Sequence, residues 1–294
     1  MSAAGSASLL PSEAAERGSP FIARLGRRVA AVHTTLCLGL DPDPQALPEG
    51  WTRDLIGVER FANLLLDTCL EHAAAVKANV AFYEAFGSPG IAALERIRAR
   101  IPTDVPFLAD AKRGDIGSTA ARQAVALFDV LGADAVTANP YLGGEAIAPL
   151  LERSDKFVYV LCRTSNPGAA EIQNLPVNGA DPLYIHVARR ATEWAADRGN
   201  VGLVVGATAP VELELVRAAA PALAMLVPGV GAQGGDIDAV KRSGPAVSGD
   251  AAAIPGGALL VNISRGIAAA ALGTPDPAAA LSAAAAHWAT LLQC

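Results

Sequence analysis

The sequence predicts a single-domain α/β fold, a (β/α)8 TIM barrel, and three observations lead there. Eight short apolar or β-rich runs recur along the chain, at residues 35–40, 75–80, 105–109, 133–138, 157–161, 201–205, 224–227 and 258–263. A polar or glycine-rich turn and then a helical stretch follow each run, and strands alternating with helices in this way build a parallel sheet. Eight such units in roughly 250 residues match the size of a closed barrel. A doubly wound sheet is the alternative, but it needs a Gly-x-Gly-x-x-Gly turn after the first strand. Leu38-Gly-Leu-Asp41-Pro-Asp-Pro has the wrong chemistry for one.

Composition bounds the rest. A chain of 294 residues with 52% hydrophobic content buries a full core, and by length alone one large α/β barrel fits as well as two smaller domains. Residues 1–18 are rich in Ala, Ser and Gly, with neither a basic leader nor the apolar core of a signal peptide, so they read as a flexible tail before a barrel domain at 19–294. A net charge of −6 with no basic run argues against nucleic acid or an anionic membrane as partner. The Ala-rich end, 277–292, is interrupted by Ser282, His287, Trp288 and Thr290 and reads as a packed last helix, because a membrane span needs about 20 predominantly apolar residues. Cys37, Cys69, Cys162 and Cys294 form no CxxC pair, and His33, His72, His186 and His287 lack metal-ligand spacing. These features fit a reduced, metal-free cytoplasmic protein.

In such barrels the chemistry lies at the carboxyl ends of the strands, and phosphate is often held after strands seven and eight. Taken in order, strand one ends at Asp41 and strand two holds Lys77. Strand three leads into Asp110-Ala-Lys112-Arg-Gly-Asp115-Ile, the most informative segment of the chain. Period-two alternation puts Asp110 and Lys112 on one face, with Asp115 opening the next loop. Two carboxylates flanking one ammonium suit a lysine that must deliver a proton to carbon, although a surface ion pair would look similar in isolation. The chain has only four lysines, Lys77, Lys112, Lys156 and Lys241, and two of them end strand-like runs. Strand five leads into Arg163-Thr-Ser165-Asn-Pro-Gly168, strand seven into Pro228-Gly-Val-Gly-Ala-Gln233-Gly-Gly, and strand eight into Asn262-Ile-Ser-Arg265-Gly. A glycine-rich turn paired with an arginine on the neighbouring strand suits a phosphate. Trp51, Trp194 and Trp288 read as packing anchors, Cys162 as a small core residue and Glu84 as a solvated helix residue.

These motifs resemble the orotidine 5′-phosphate decarboxylase family, in its longer bacterial subclass called type 2. The resemblance rests on Asp110-x-Lys112-x-x-Asp115-Ile-x-x-Thr119, with Cys37-Leu-Gly-Leu-Asp41-Pro, Val76-Lys77, Asn139-Pro-Tyr-Leu-Gly143, Thr164-Ser165-Asn-Pro-Gly168, the strand-seven loop and Val261-Asn-Ile-Ser-Arg265-Gly. It implies cofactor-free and metal-free conversion of orotidine monophosphate to uridine monophosphate, the last step of de novo pyrimidine synthesis. Lys112 would protonate C6 and Asp110 would lie beside the substrate carboxylate. Lys77 would orient Asp110 and touch the ribose with Asp41, Ser165 would address the pyrimidine, and Gln233 with Arg265 would take the phosphate. Asp115 and Thr119 would reach into the neighbouring site of a homodimer.

Three alternatives stay open at this level. Metal-dependent sugar-phosphate enzymes of the same superfamily, such as hexulose phosphate synthase, use a similar strand-three motif but want further carboxylates. A Schiff-base aldolase would want a strand-six lysine, which Val201-Gly-Leu-Val-Val-Gly lacks. A non-catalytic nucleotide-binding barrel would have no need of alternating buried charges.

Overall fold

In the computed structural model, which describes residues 20–294 apart from Asp197 and Ala232, the eight runs form one closed parallel barrel. The strands are Leu36–Gly39 (β1), Ala75–Asn79 (β2), Phe107–Arg113 (β3), Ala135–Ala138 (β4), Phe157–Arg163 (β5), Val201–Val205 (β6), Ala224–Pro228 (β7) and Leu259–Ile263 (β8). Each pairs with the next, and β8 closes on β1 through Leu36↔Val261, Cys37↔Asn262 and Leu38↔Ile263. The expected tail at 1–18 lies outside the described residues.

Period-two alternation divides the buried residues into two cores. Outward side chains such as Leu38, Val76, Val136, Val160, Leu203 and Val261 pack under the helices. Inward side chains including Cys37, Ala75, Leu108, Phe157, Tyr159 and Leu260 form a second cluster inside the barrel. Helix Phe21–Val32 joins that inner cluster by Phe21, Leu25 and Val29, spaced four apart on one face, and so plugs one mouth of the barrel. Phe21 stacks on Phe157 at 4.9 Å between centroids. Gly202 of β6 makes room for this aromatic layer, since a Cβ there would come within 2.8 Å of Phe157.

The plug is also fixed by charge. Arg24 donates to Asp134 Oδ1 at 2.7 Å and to the Thr103 carbonyl at 3.0 Å. Asp134 Oδ2 accepts the Phe107 amide at 2.9 Å, and Arg98 and Lys156 approach the same carboxylate. Burial would raise the pKa of Asp134, but Arg24 and Arg98 outweigh it and hold the carboxyl below its ordinary value. Lys156, one of the four lysines, thus belongs to this basal network.

At the other end of the chain, helix Pro277–Leu291 is capped by Asp276, which accepts the Ala279 amide at 3.0 Å, and it packs on helix Leu55–Cys69. Among the described residues no helix is long and apolar enough to cross a membrane. Trp51 meets Phe61 edge-on, Trp288 donates to the Gly266 carbonyl, and Trp194 lies against Gly144, so all three act as packing anchors.

The largest departure from the sequence reading is β3. It runs through Arg113 instead of ending at residue 109, and a bulge interrupts its pairing with β4 between Ala109↔Val136 and Arg113↔Ala138. Simple alternation therefore does not govern Asp110 and Lys112. The bulge, with Lys112 at φ +46°, sets where the lysine points.

Candidate active site

The carboxyl ends of the strands surround a cavity of about 880 Å3. Its walls have different chemistry because successive strands end in different residues. Asp41, Lys77, Asn79, Asp110, Lys112 and Thr137 supply a charged wall from β1 to β4. Leu161, Val204 and Leu226 make an apolar one from β5 to β7. Gly229, Gly231, Gln233, Arg265 and Gly266 close the third side after β7 and β8.

The charged wall is an alternating array. Lys77 Nζ donates to Asp110 Oδ2 at 3.0 Å and faces Asp41 Oδ2 at 3.7 Å. Lys112 Nζ donates to Asp110 Oδ1 at 2.7 Å. Asp41 Oδ1 also accepts the Asn79 amide at 2.7 Å, which fixes its second oxygen toward Lys77. Burial would raise the pKa of Asp110, yet Lys77 and Lys112 hold it well below the usual carboxylate range. Burial would depress Lys77, but Asp41 and Asp110 more than compensate and raise its pKa. Lys77 is therefore a cation held in place, with a side chain 4% exposed, whereas the Lys112 side chain is 47% exposed.

The lysine's placement has a backbone cost. A non-glycine residue in the left-handed region costs about 1–2 kcal/mol, and Lys112 is held there by Thr137 Oγ1, which accepts its backbone amide at 2.9 Å. Sequence reasoning missed Thr137. The available signal was a single hydroxyl in the otherwise apolar run Ala135-Val-Thr137-Ala. It also missed Asn262, a β8 residue lining the cavity whose Oδ1 is buried with no hydrogen-bond partner.

The remaining candidates fall into two groups. Ser165, Gln233 and Arg265 line the same cavity as the charged array. The Ser165 loop is shaped by its neighbours: Gln173 accepts the Thr164 amide at 2.9 Å and donates to the Thr164 hydroxyl at 2.7 Å. Gly229 adopts φ +100°, where a Cβ would lie 2.6 Å from Gln233 Oε1, so the turn and the carboxamide fit together only with glycine. Arg265 forms no ion pair with any carboxylate among the described residues, which leaves a guanidinium open to an anion. Asp115 and Thr119 do not line the cavity; Asp115 accepts the Ile116 amide and Thr119 is exposed. Glu84, read as merely solvated, is exposed but also ion-paired with Arg113 at the end of β3. Cys162 is a core thiol that donates to the Tyr184 carbonyl, and burial pushes its pKa up.

An acid–base array that shares one cavity with an open arginine and apolar strand ends defines a barrel enzyme for a small phosphorylated substrate. Comparison with known proteins narrows this. The sequence profile described as "Orotidine 5'-phosphate decarboxylase / HUMPS family" matches residues 34–284, and the chain belongs to that family. Orotidine 5′-phosphate decarboxylase of Thermomicrobium roseum is 49% identical over 248 residues, covering 84% of this chain and 86% of that protein. A putative orotidine-monophosphate-decarboxylase structure from Toxoplasma gondii superposes with a TM-score of 0.82 at 38% identity, covering 94% of this chain and 97% of that one. The UMP synthase structure of Leishmania donovani matches with a TM-score of 0.79 at 39% identity. The alignment covers 93% of this chain, which spans 56% of that longer protein.

Proposed function

We propose that this enzyme binds orotidine 5′-phosphate in the cavity and releases CO2 and uridine 5′-phosphate, the last step of de novo pyrimidine synthesis, with Lys112 as the proton donor. The bond between C6 and its carboxylate breaks, the electron pair stays on C6, and the Lys112 ammonium supplies the proton. Lys112 then recovers a proton from solvent.

The observation that carries this reading is the Asp41, Lys77, Asp110, Lys112 array together with Arg265 in one cavity. The carbanion at C6 has little resonance relief, so the site must present fixed positive charge, and an ammonium held at 2.7 Å from Asp110 meets that need. Asp110 lies beside the substrate carboxylate and repels it, by about 4 kcal/mol for unit charges ~4 Å apart at an effective dielectric near 20. Such a term covers a fraction of a barrier reduction that reaches ~23 kcal/mol for demanding reactions. Binding energy from the remote phosphate, taken by Gln233 and Arg265, supplies more. Lys77 orients Asp110 and, with Asp41, meets the ribose, while Ser165 addresses the pyrimidine.

The functional unit in this reading is a homodimer with shared sites. Asp115 and Thr119 lie outside their own cavity, and the exposed apolar residues Ile116, Tyr141 and Leu142 come from the loops after β3 and β4. Those side chains would pack against the second copy while Asp115 and Thr119 reach its cavity. The free thiols Cys37, Cys69, Cys162 and Cys294 fit a reducing, cytoplasmic compartment. The metal-dependent reading is disfavoured by the array itself, because Lys77 and Lys112 already occupy both oxygens of Asp110.

A spectrophotometric assay with orotidine 5′-phosphate, run with and without EDTA, tests the reading. Turnover indifferent to chelation is expected. No turnover, or loss with EDTA and recovery with Mg2+, overturns it.

A further inference from the structure

Thr137 hydrogen-bonds both the backbone of Lys112 and the carboxylate of Asp110. Its Oγ1 accepts the Lys112 amide at 2.9 Å and donates to Asp110 Oδ1 at 2.8 Å. The chemistry fixes that direction, since an amide can only donate and an ionised carboxylate can only accept. The β3 bulge explains why a side chain is needed there. Between Ala109↔Val136 and Arg113↔Ala138 the ladder with β4 is interrupted, and the Lys112 amide is met by a hydroxyl instead of a strand carbonyl. The hydroxyl thereby bridges a backbone in the left-handed region and a carboxylate that two ammonium groups share.

We propose that Thr137 is a positioning residue for the protonation step, its hydroxyl holding Lys112 in its left-handed turn and Asp110 in one orientation so that the ammonium is aimed at C6. The inference rests on the decarboxylase reading above. Lys112 has a long side chain that is 47% exposed, so its backbone and its single carboxylate partner are what restrict the ammonium. Both restraints run through the same buried hydroxyl, on a residue 1% exposed. Preorganised charge acts only where it is aimed, so loosening either restraint lowers turnover more than binding.

Two variants separate hydroxyl from shape. T137V keeps the branched outline and removes the hydroxyl, and T137S does the reverse. T137V should lower kcat at least about tenfold, the scale of one charge-assisted hydrogen bond, with KM for orotidine 5′-phosphate within about threefold. T137S should stay within about threefold of wild type in both constants. T137S as damaged as T137V, or a T137V defect confined to KM, overturns the role. If T137V does not fold by thermal unfolding, T137A is the second hydroxyl-free variant under the same criteria. A crystal structure of the hydroxyl-free variant needs no turnover, so it tests the positioning even if the wild-type enzyme proves to act on another substrate. Lys112 should leave positive φ; Lys112 unmoved, still bonded to Asp110, overturns the proposal.

Discussion

In the proposed reaction Lys112 and Arg265 divide the work of the site into a part felt only in the transition state and a part felt on binding. Lys112→Ala should leave a folded protein that binds uridine 5′-phosphate but has lost nearly all turnover, because a proton donor acts mainly after the carboxylate begins to leave. Turnover within about tenfold of wild type would remove Lys112 from that role. Arg265→Ala should behave differently. A charge-assisted contact contributes about 1.5–3 kcal/mol, so KM for the phosphorylated substrate should rise at least tenfold, while turnover of the phosphate-free nucleoside changes little. Equal damage with both substrates would place the arginine elsewhere. The residues behind these predictions were legible in sequence because lysine is scarce in this chain and because strand ends concentrate chemistry. Thr137 was not, since a threonine in a strand is ordinary until its two partners are known.

The strands were readable for a similar reason: each is an apolar run bounded by turn chemistry, and β6 at Val201–Val205 matches its expected limits at both ends. The bulge in β3 was hidden because alternation assumes an unbroken ladder, and nothing in Ala109-Asp-Ala-Lys112 announces left-handed backbone. The basal network was hidden too, because it joins Arg24 to Asp134 across 110 residues. Its role is structural, which gives an element-scale prediction. Asp134→Asn leaves Arg24 buried without its counter-charge and should cost about 3–5 kcal/mol, read from a urea midpoint at unchanged slope. The pH dependence has a definite sign. Asp134 is held below its ordinary pKa, so its contribution is complete above the unfolded value near 3.9 and is lost as pH falls through the folded one. The stability gap between wild type and Asp134→Asn should therefore be flat from about pH 7 to 5 and narrow only below about pH 4. A gap already narrowing between pH 7 and 5 would assign the titration to another group.

On the scale of the proposed dimer, in which Asp115 serves the neighbour while Asp110 and Lys112 serve their own cavity, a sharp prediction follows. Homodimers of Lys112→Ala and of Asp115→Ala are each impaired at both sites. In a mixed dimer one site collects both defects and the other neither, so a purified heterodimer should regain about half the wild-type activity, as two-fold symmetry requires. A heterodimer as inactive as its parents would confine Asp115 to its own chain. The closing pair of the barrel has a consequence of another kind, for the chain while it is being made. Asn262, which pairs with Cys37, is translated about 225 residues after it. At ~5–20 residues per second, β1 waits roughly 10–45 s for its second neighbour. Throughout that wait the nascent chain exposes an unpaired strand edge, the kind of template on which polypeptides aggregate. Soluble yield in a cell should then depend on how quickly the ribosome delivers β8, and on chaperones that cover β1 until it arrives.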